Sequence, residues 1–152
     1  MNYTEFKNRF QDQPYILSRD IAKNHQDPQA LRNQLVRWKK KGLIISLKKG
    51  LYILNQNDRK SDIDPNFIAN ICYEPSYVSL ESALNFYGLI PEKVSDITSV
   101  TTLKTARFSN ALGNFIYQRI KEAAFRGFKK LGQGPASFFM AEPEKAVVDF
   151  LY

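Results

Sequence analysis

Apolar positions at the start of the chain recur at helical intervals. Tyr3, Phe6 and Phe10 predict a short first helix, with Glu5, Lys7 and Arg9 between them. Pro14 closes it, and Tyr15-Ile16-Leu17 predicts a short extended segment. Ser18 then reads as the N-cap of a second helix that opens Arg19-Asp20-Ile21-Ala22. The third helix has the sharpest limits: Asp27 as N-cap, Pro28 in the first turn, and Gly42 as the stop after the last lysine. Within it Leu31, Leu35 and Trp38 form the stripe that packs inward. Gln29, Arg32, Asn33, Val36, Arg37 and Lys40 fall on another face, polar and strongly basic. Two β-rich runs, residues 43–47 and 51–54, flank Lys48-Lys49-Gly50 and predict a hairpin with a basic tip.

The pattern then breaks. Residues 55–61 are polar and without period, the best linker candidate, which divides the chain into units of residues 1–56 and 62–152. Asp64-Pro65 repeats the cap-and-proline start, with Phe67, Ile68 and Ile71 on the apolar side of a short helix. Ser79 reads as the N-cap of another helix, which ends at Gly88. From Ile97 onward the runs at 97–102, 107–109, 115–118, 127–131 and 137–141 predict strands, with Gly113, Gly132 and Gly134 at turns. Pro143 opens a last helix of about two turns without a capping glycine, which reads as a truncated chain or one lacking a further helical segment. The expected fold class is α+β: a winged helix-turn-helix, then a small α+β domain with a mostly antiparallel sheet.

Charge sharpens this division. Residues 1–60 hold 13 Lys/Arg against 5 Asp/Glu, a net of +8, whereas residues 61–152 hold 9 against 10. The first unit suits a polyanion and the second does not. One cysteine, Cys72, fits a reducing compartment, and the chain shows neither a bilayer-length apolar run nor a signal-peptide core. The expected location is cytoplasmic, without membrane. Cys72 and His25 stand alone, so no His/Cys metal cluster and no Cys–His nucleophile pair is expected, and no cofactor.

Helix, helix, helix and basic-tipped hairpin is the element order of a winged helix-turn-helix. A helix fits the major groove of DNA, where Arg bonds guanine and Asn or Gln bonds adenine. Gln29, Arg32, Asn33 and Arg37 are therefore the candidate base readers, and Lys40, Lys48 and Lys49 the phosphate clamps, with Lys39 and Lys41 adding backbone contacts and Gly50 allowing close approach. Ser18 and Arg19, at the start of the second helix, complete the expected DNA-contact set. Taken singly, Arg37 or Lys40 reads equally as part of a solvated face, and Trp38 reads as core. Glu142, Glu144 and Lys145 superficially suggest a nuclease cluster, but glutamates at a helix start complement its dipole. Gly132-Gln133-Gly134 lacks the following glycine and helix of a phosphate loop. The expectation is a non-enzyme. The alternatives are a protein-interaction module with an incidental basic face, or a metal-dependent nuclease or nucleotidyl-transferring enzyme.

Three stretches occur in order: Gly42-Leu43-Ile44 with Lys49-Gly50-Leu51-Tyr52; Ser76-Tyr77-Val78-Ser79-Leu80-Glu81-Ser82-Ala83-Leu84 with Tyr87-Gly88-Leu89-Ile90-Pro91; and Ala141-Glu142-Pro143-Glu144-Lys145-Ala146-Val147-Val148-Asp149. In these the chain resembles the AbiEi-type antitoxin and transcriptional-regulator family of bacterial type IV toxin–antitoxin systems, over essentially its whole length. The resemblance implies a winged-helix repressor of its own operon followed by an antitoxin domain, and a toxin partner resembling a nucleotidyltransferase. It assigns Lys48, Lys49 and Gly50 to DNA contact, and no chemistry to Ser79, Glu81 or Lys145.

Overall fold

The computed structural model describes residues 1–23, 25–60 and 62–152. The chain divides into two compact units, Met1–Asp62 and Ile63–Tyr152. In the first, α1 (Tyr3–Phe10), β1 (Ile16–Leu17), α2 (Ser18–Ala22), α3 (Pro28–Lys40), β2 (Ile44–Lys48) and β3 (Leu51–Leu54) follow one another. The three strands form an antiparallel sheet in the order β1-β3-β2.

Local chemistry sets these limits. Asn2 and Glu5 form a reciprocal capping box at the start of α1. The Asp27 carboxylate accepts from the Gln29 and Ala30 backbone amides, and Pro28 occupies the first turn of α3. Gly42 follows that helix with φ +73°, where a side chain would be strained. Phe6, Phe10, Ile16, Ile21, Leu31, Leu35, Trp38, Ile44 and Leu54 make one core. Phe6 is central, with its ring centroid 5.0 Å from Phe10 and 4.8 Å from Trp38.

Two expectations fail here. Ser18 does not cap α2: it is the first residue of the helix, the N-cap position falls on Leu17, and no side chain caps it. The Ser18 amide instead donates to Gly50 O at 2.9 Å, tying the helix start to the hairpin. Nor do the residues after β3 form a free linker. The Tyr3 hydroxyl donates to Asp58 Oδ2 at 2.6 Å, Asn55 bridges to Asp58, and Lys7 pairs with the same carboxylate at 3.3 Å. The Tyr3 hydrogen bond holds Asp58 below its ordinary carboxylate value, while burial, then Asp58, pushes the Tyr3 hydroxyl up. Ser61, the last residue of the expected linker, lies outside the described residues.

The second unit contains α4 (Pro65–Cys72), β4 (Ser76–Val78), α5 (Leu80–Phe86), β5 (Ile97–Thr101), β6 (Ala106–Asn110), β7 (Gly113–Arg119), β8 (Phe128–Leu131), β9 (Phe138–Ala141) and α6 (Pro143–Leu151). Its sheet runs β6-β7-β5-β4-β9-β8 and is mixed, with β5/β7 and β4/β9 parallel and the other neighbours antiparallel. The expected mostly antiparallel sheet is thus corrected. One source is β4, a three-residue strand that the pattern hides in the approach to α5 and that runs parallel to β9; the other is β7, which runs parallel to β5. β4 inserts at the middle of the sheet, between β5 and β9.

Helices cover both faces of this sheet. Tyr117 and Tyr77 point to opposite sides, since Tyr117 aligns with Ser99 and Val78 in register. On one side the Tyr117 hydroxyl donates to Ala69 O of α4; on the other the Tyr77 hydroxyl donates to Asp149 of α6. The buried Asn70 side chain grips both backbone groups of Phe139 in β9, at 2.6 and 3.3 Å, as a neighbouring strand would. Among the described residues no helix is long and apolar enough to cross a membrane.

Candidate nucleic-acid interface

From Pro28 to Asn57 the sequence has no Asp or Glu, yet it carries Arg32, Arg37, Lys39, Lys40, Lys41, Lys48 and Lys49. These 30 residues build α3 and the β2–β3 hairpin. The acidic residues of the first unit lie outside this run: Glu5 is in the capping box of α1, Asp58 is engaged by Tyr3 and Lys7, Asp27 caps α3, Asp12 and Asp20 pair with Lys60 and Lys23, and Asp62 ends the unit. Among the described residues Arg32, Arg37, Lys39, Lys40, Lys41 and Lys49 take part in no ion pair. All six are exposed. Like charges this close, with no local counter-charge, create a surface of strongly positive potential.

The expected readers lie where the helical spacing puts them. Gln29, Arg32, Asn33, Arg37 and Lys40 are all exposed on α3, while Leu31, Leu35 and Trp38 are buried beneath. The Gln29 side-chain amide donates to Asn33 Oδ1 at 3.2 Å, one turn on, which aligns the two amides on the helix surface. A groove of about 540 Å³ runs between α2, α3 and the hairpin. It collects Ser18, Arg19, Arg32, Lys49 and Gly50, whereas Gln29, Asn33, Arg37, Lys40 and Lys48 lie outside its lining.

The groove also holds Lys39, expected as a backbone contact, and brings in Tyr52, which the sequence pattern left out of the site. Burial pushes the Tyr52 hydroxyl above its ordinary value. The position of Lys39, seven residues beyond Arg32, was the available signal for its place on the same side. Tyr52 carried none, because its direction depends on the pairing of β3 with β1 and β2.

The hairpin tip is shaped by two features. The β2–β3 register shifts between Ser46 and Lys48, a bulge that turns the tip. Gly50 has φ +81° and its backbone lies so close to α2 that an added Cβ would stand 3.1 Å from Ser18 Oγ. Gly50→Ala is therefore expected to destabilise the first unit by about 1–2 kcal/mol, the cost of a left-handed residue. Urea unfolding followed by the fluorescence of Trp38, the one tryptophan, measures this. An unchanged midpoint would mean that the turn relaxes freely.

In the second unit, two of the stretches singled out above converge on Asp149. Its carboxylate is buried and accepts from Ser79 Oγ at 2.7 Å, Tyr77 Oη at 3.0 Å and Lys145 Nζ at 2.7 Å. Ser79 occupies the N-cap position of α5, but its side chain does not cap the helix; it is spent on Asp149. Burial, then the Asp149 charge, pushes the Tyr77 hydroxyl up, which keeps it a donor. The Lys145 stem lies against Gly127, where a Cβ would come within 2.9 Å of it. Ser79 is 0% exposed, so a substrate has no approach to it. The cluster is an internal lock that joins β4 and α6.

Among the described residues no three His, Cys, Asp or Glu side chains come together as metal ligands. Comparison with protein-family models finds no match to this chain, and comparison with curated proteins finds none either.

Proposed function

We propose that the first unit is a winged helix-turn-helix that binds double-stranded DNA sequence-specifically, with α3 in the major groove and the β2–β3 hairpin as its wing. One observation carries this reading: the acid-free run of Pro28–Asn57 displays six exposed cations without an ion pair, spread over a helix and an adjoining hairpin. A helix has the width to enter the groove, and unpaired Lys and Arg replace the counterions of the phosphates. On the resemblance of the sequence, we assign the chain as an AbiEi-like type IV antitoxin. It represses its own operon in the cytoplasm, opposes a toxin that resembles a nucleotidyltransferase, and performs no catalysis itself.

The test is binding of the purified chain to DNA from upstream of its own gene, against a scrambled duplex, across a salt series. Selective binding is expected, with a log–log salt slope near −4.5 if about five phosphates are neutralised. Weak binding that is equal on both duplexes would reject the base-reading role of α3.

A second reading, a protein-interaction role for the second unit, has one observation in its favour. Val148, Phe150 and Leu151 of α6 remain 45%, 50% and 73% exposed, while Asp149 between them is buried. Binding through such apolar residues would show a shallow salt slope.

A further inference from the structure

Val36 departs from the composition of the face that carries it. It is 52% exposed on α3, and its neighbours one turn away on either side are Arg32 and Lys40. A β-branched residue lowers helix propensity, so the helix gains nothing from Val36 in itself. Nor does the core, which Leu31, Leu35 and Trp38 fill while Val36 stays outside it. Val36 does line the groove between α3 and the hairpin, together with Arg32 and Tyr52. Leu31 and Leu35 also line the groove but are buried, and Val36 is the one β-branched side chain among the exposed residues of α3.

In the major groove thymine is the only base that presents a methyl group, and apolar side chains recognise it by contact. We propose that Val36 reads a thymine methyl, and that the preferred site carries this thymine within about two base pairs of the guanine bonded by Arg32. The spacing follows from the helix: four residues rise about 6 Å, roughly two steps of 3.4 Å along a DNA strand. This inference rests on the DNA-binding reading above and adds the base that α3 recognises by shape and burial, where Arg32 recognises by hydrogen bonding.

The test selects binding sites from two random duplex libraries, one made with thymine and one with uracil, which lacks only the methyl. The full chain and its Val36→Ala variant are each used. Alanine is the stronger helix former and Val36 is not in the core, so the variant keeps the fold. The expected result is a thymine enriched within about two base pairs of a guanine by the wild-type chain from the first library, with no uracil enriched at that position from the second. On the selected duplex, replacing that thymine by uracil should weaken wild-type binding roughly fourfold, the worth of one buried carbon. The same replacement should leave Val36→Ala unchanged. A selected site without such a thymine, or a thymine preference that survives either the uracil library or Val36→Ala, overturns the inference and leaves DNA binding intact. Failure to enrich any sequence from either library overturns the DNA-binding reading itself, and this inference with it.

Discussion

Asp149→Ala is expected to destabilise the second unit by about 3–5 kcal/mol, the usual cost of stranding one partner of a buried ion pair. The side chains of Asp149 and Lys145 are 3% and 14% exposed, so water does little to screen their pairing at 2.7 Å. Removing the carboxylate leaves an ammonium without its counter-charge, and it also leaves the Ser79 and Tyr77 hydroxyls without their acceptor. Those two stranded donors add to the loss, because a buried polar group left without a partner keeps its full desolvation penalty. Lys145→Met combined with Asp149→Leu should recover part of the stability, since it removes both charges at similar volume. It should not recover all of it, because the two hydroxyls stay unpaired. Urea unfolding followed by far-UV circular dichroism measures the change, and Trp38 fluorescence identifies any event in the first unit. A loss below about 1 kcal/mol for Asp149→Ala would mean that water reaches the cluster.

The second large effect is on DNA. Arg32→Ala should weaken binding to the preferred site by about 1–3 kcal/mol and relax the choice of base at one position. Replacing Lys39, Lys40 and Lys49 together by alanine should act differently. It should weaken binding to every sequence alike and make the salt slope shallower by about 2.7, at roughly 0.9 for each phosphate no longer neutralised. The contrast tests the division of labour within one face. Arginine can bond a guanine edge through two hydrogen bonds at once, whereas these lysines contribute charge without reading sequence. Titrations of each variant on the preferred duplex and on a scrambled one, at several salt concentrations, separate the two outcomes. If Arg32→Ala weakens both duplexes equally, Arg32 touches the backbone and a different residue of α3 reads the base.

These two sites differ in how far they could be read from the sequence. The face of α3 was legible because every signal was local. Asp27, Pro28 and Gly42 mark the helix ends through hydrogen bonds and backbone conformations that span a few residues. The 3.6-residue period then sorts Leu31, Leu35 and Trp38 from Gln29, Arg32, Asn33, Arg37 and Lys40 without any knowledge of what packs below. The strands from β5 to β9 were legible for the same reason, to within a residue or two. The cluster at Asp149 was not, because Tyr77 and Ser79 lie some 70 residues from it in sequence. Ser79 carries the local signal of a helix cap, and a buried carboxylate competed for its hydroxyl and won.

Short-range patterning therefore specifies the helices of the first unit, the hairpin with its glycine turn, most of the strands, and the segregation of positive charge onto α3 and that hairpin. The assembled fold settles what no short window contains. It places the three-residue β4 at the centre of a mixed sheet, where pairing on both sides stabilises a strand too short to declare itself. It draws residues 55–60 back onto the first unit, through a tyrosine and a lysine of α1 that meet Asp58 across more than 50 residues. It also turns Ser18 from a cap into a tether of the hairpin, and gives Ser79 to Asp149. At Ser79 one hydroxyl has a nearby partner that its sequence neighbours suggest, the start of α5, and a distant one that the fold supplies, Asp149. The buried, well-aligned partner prevails, because a hydrogen bond shielded from water is the one that cannot be left unmade.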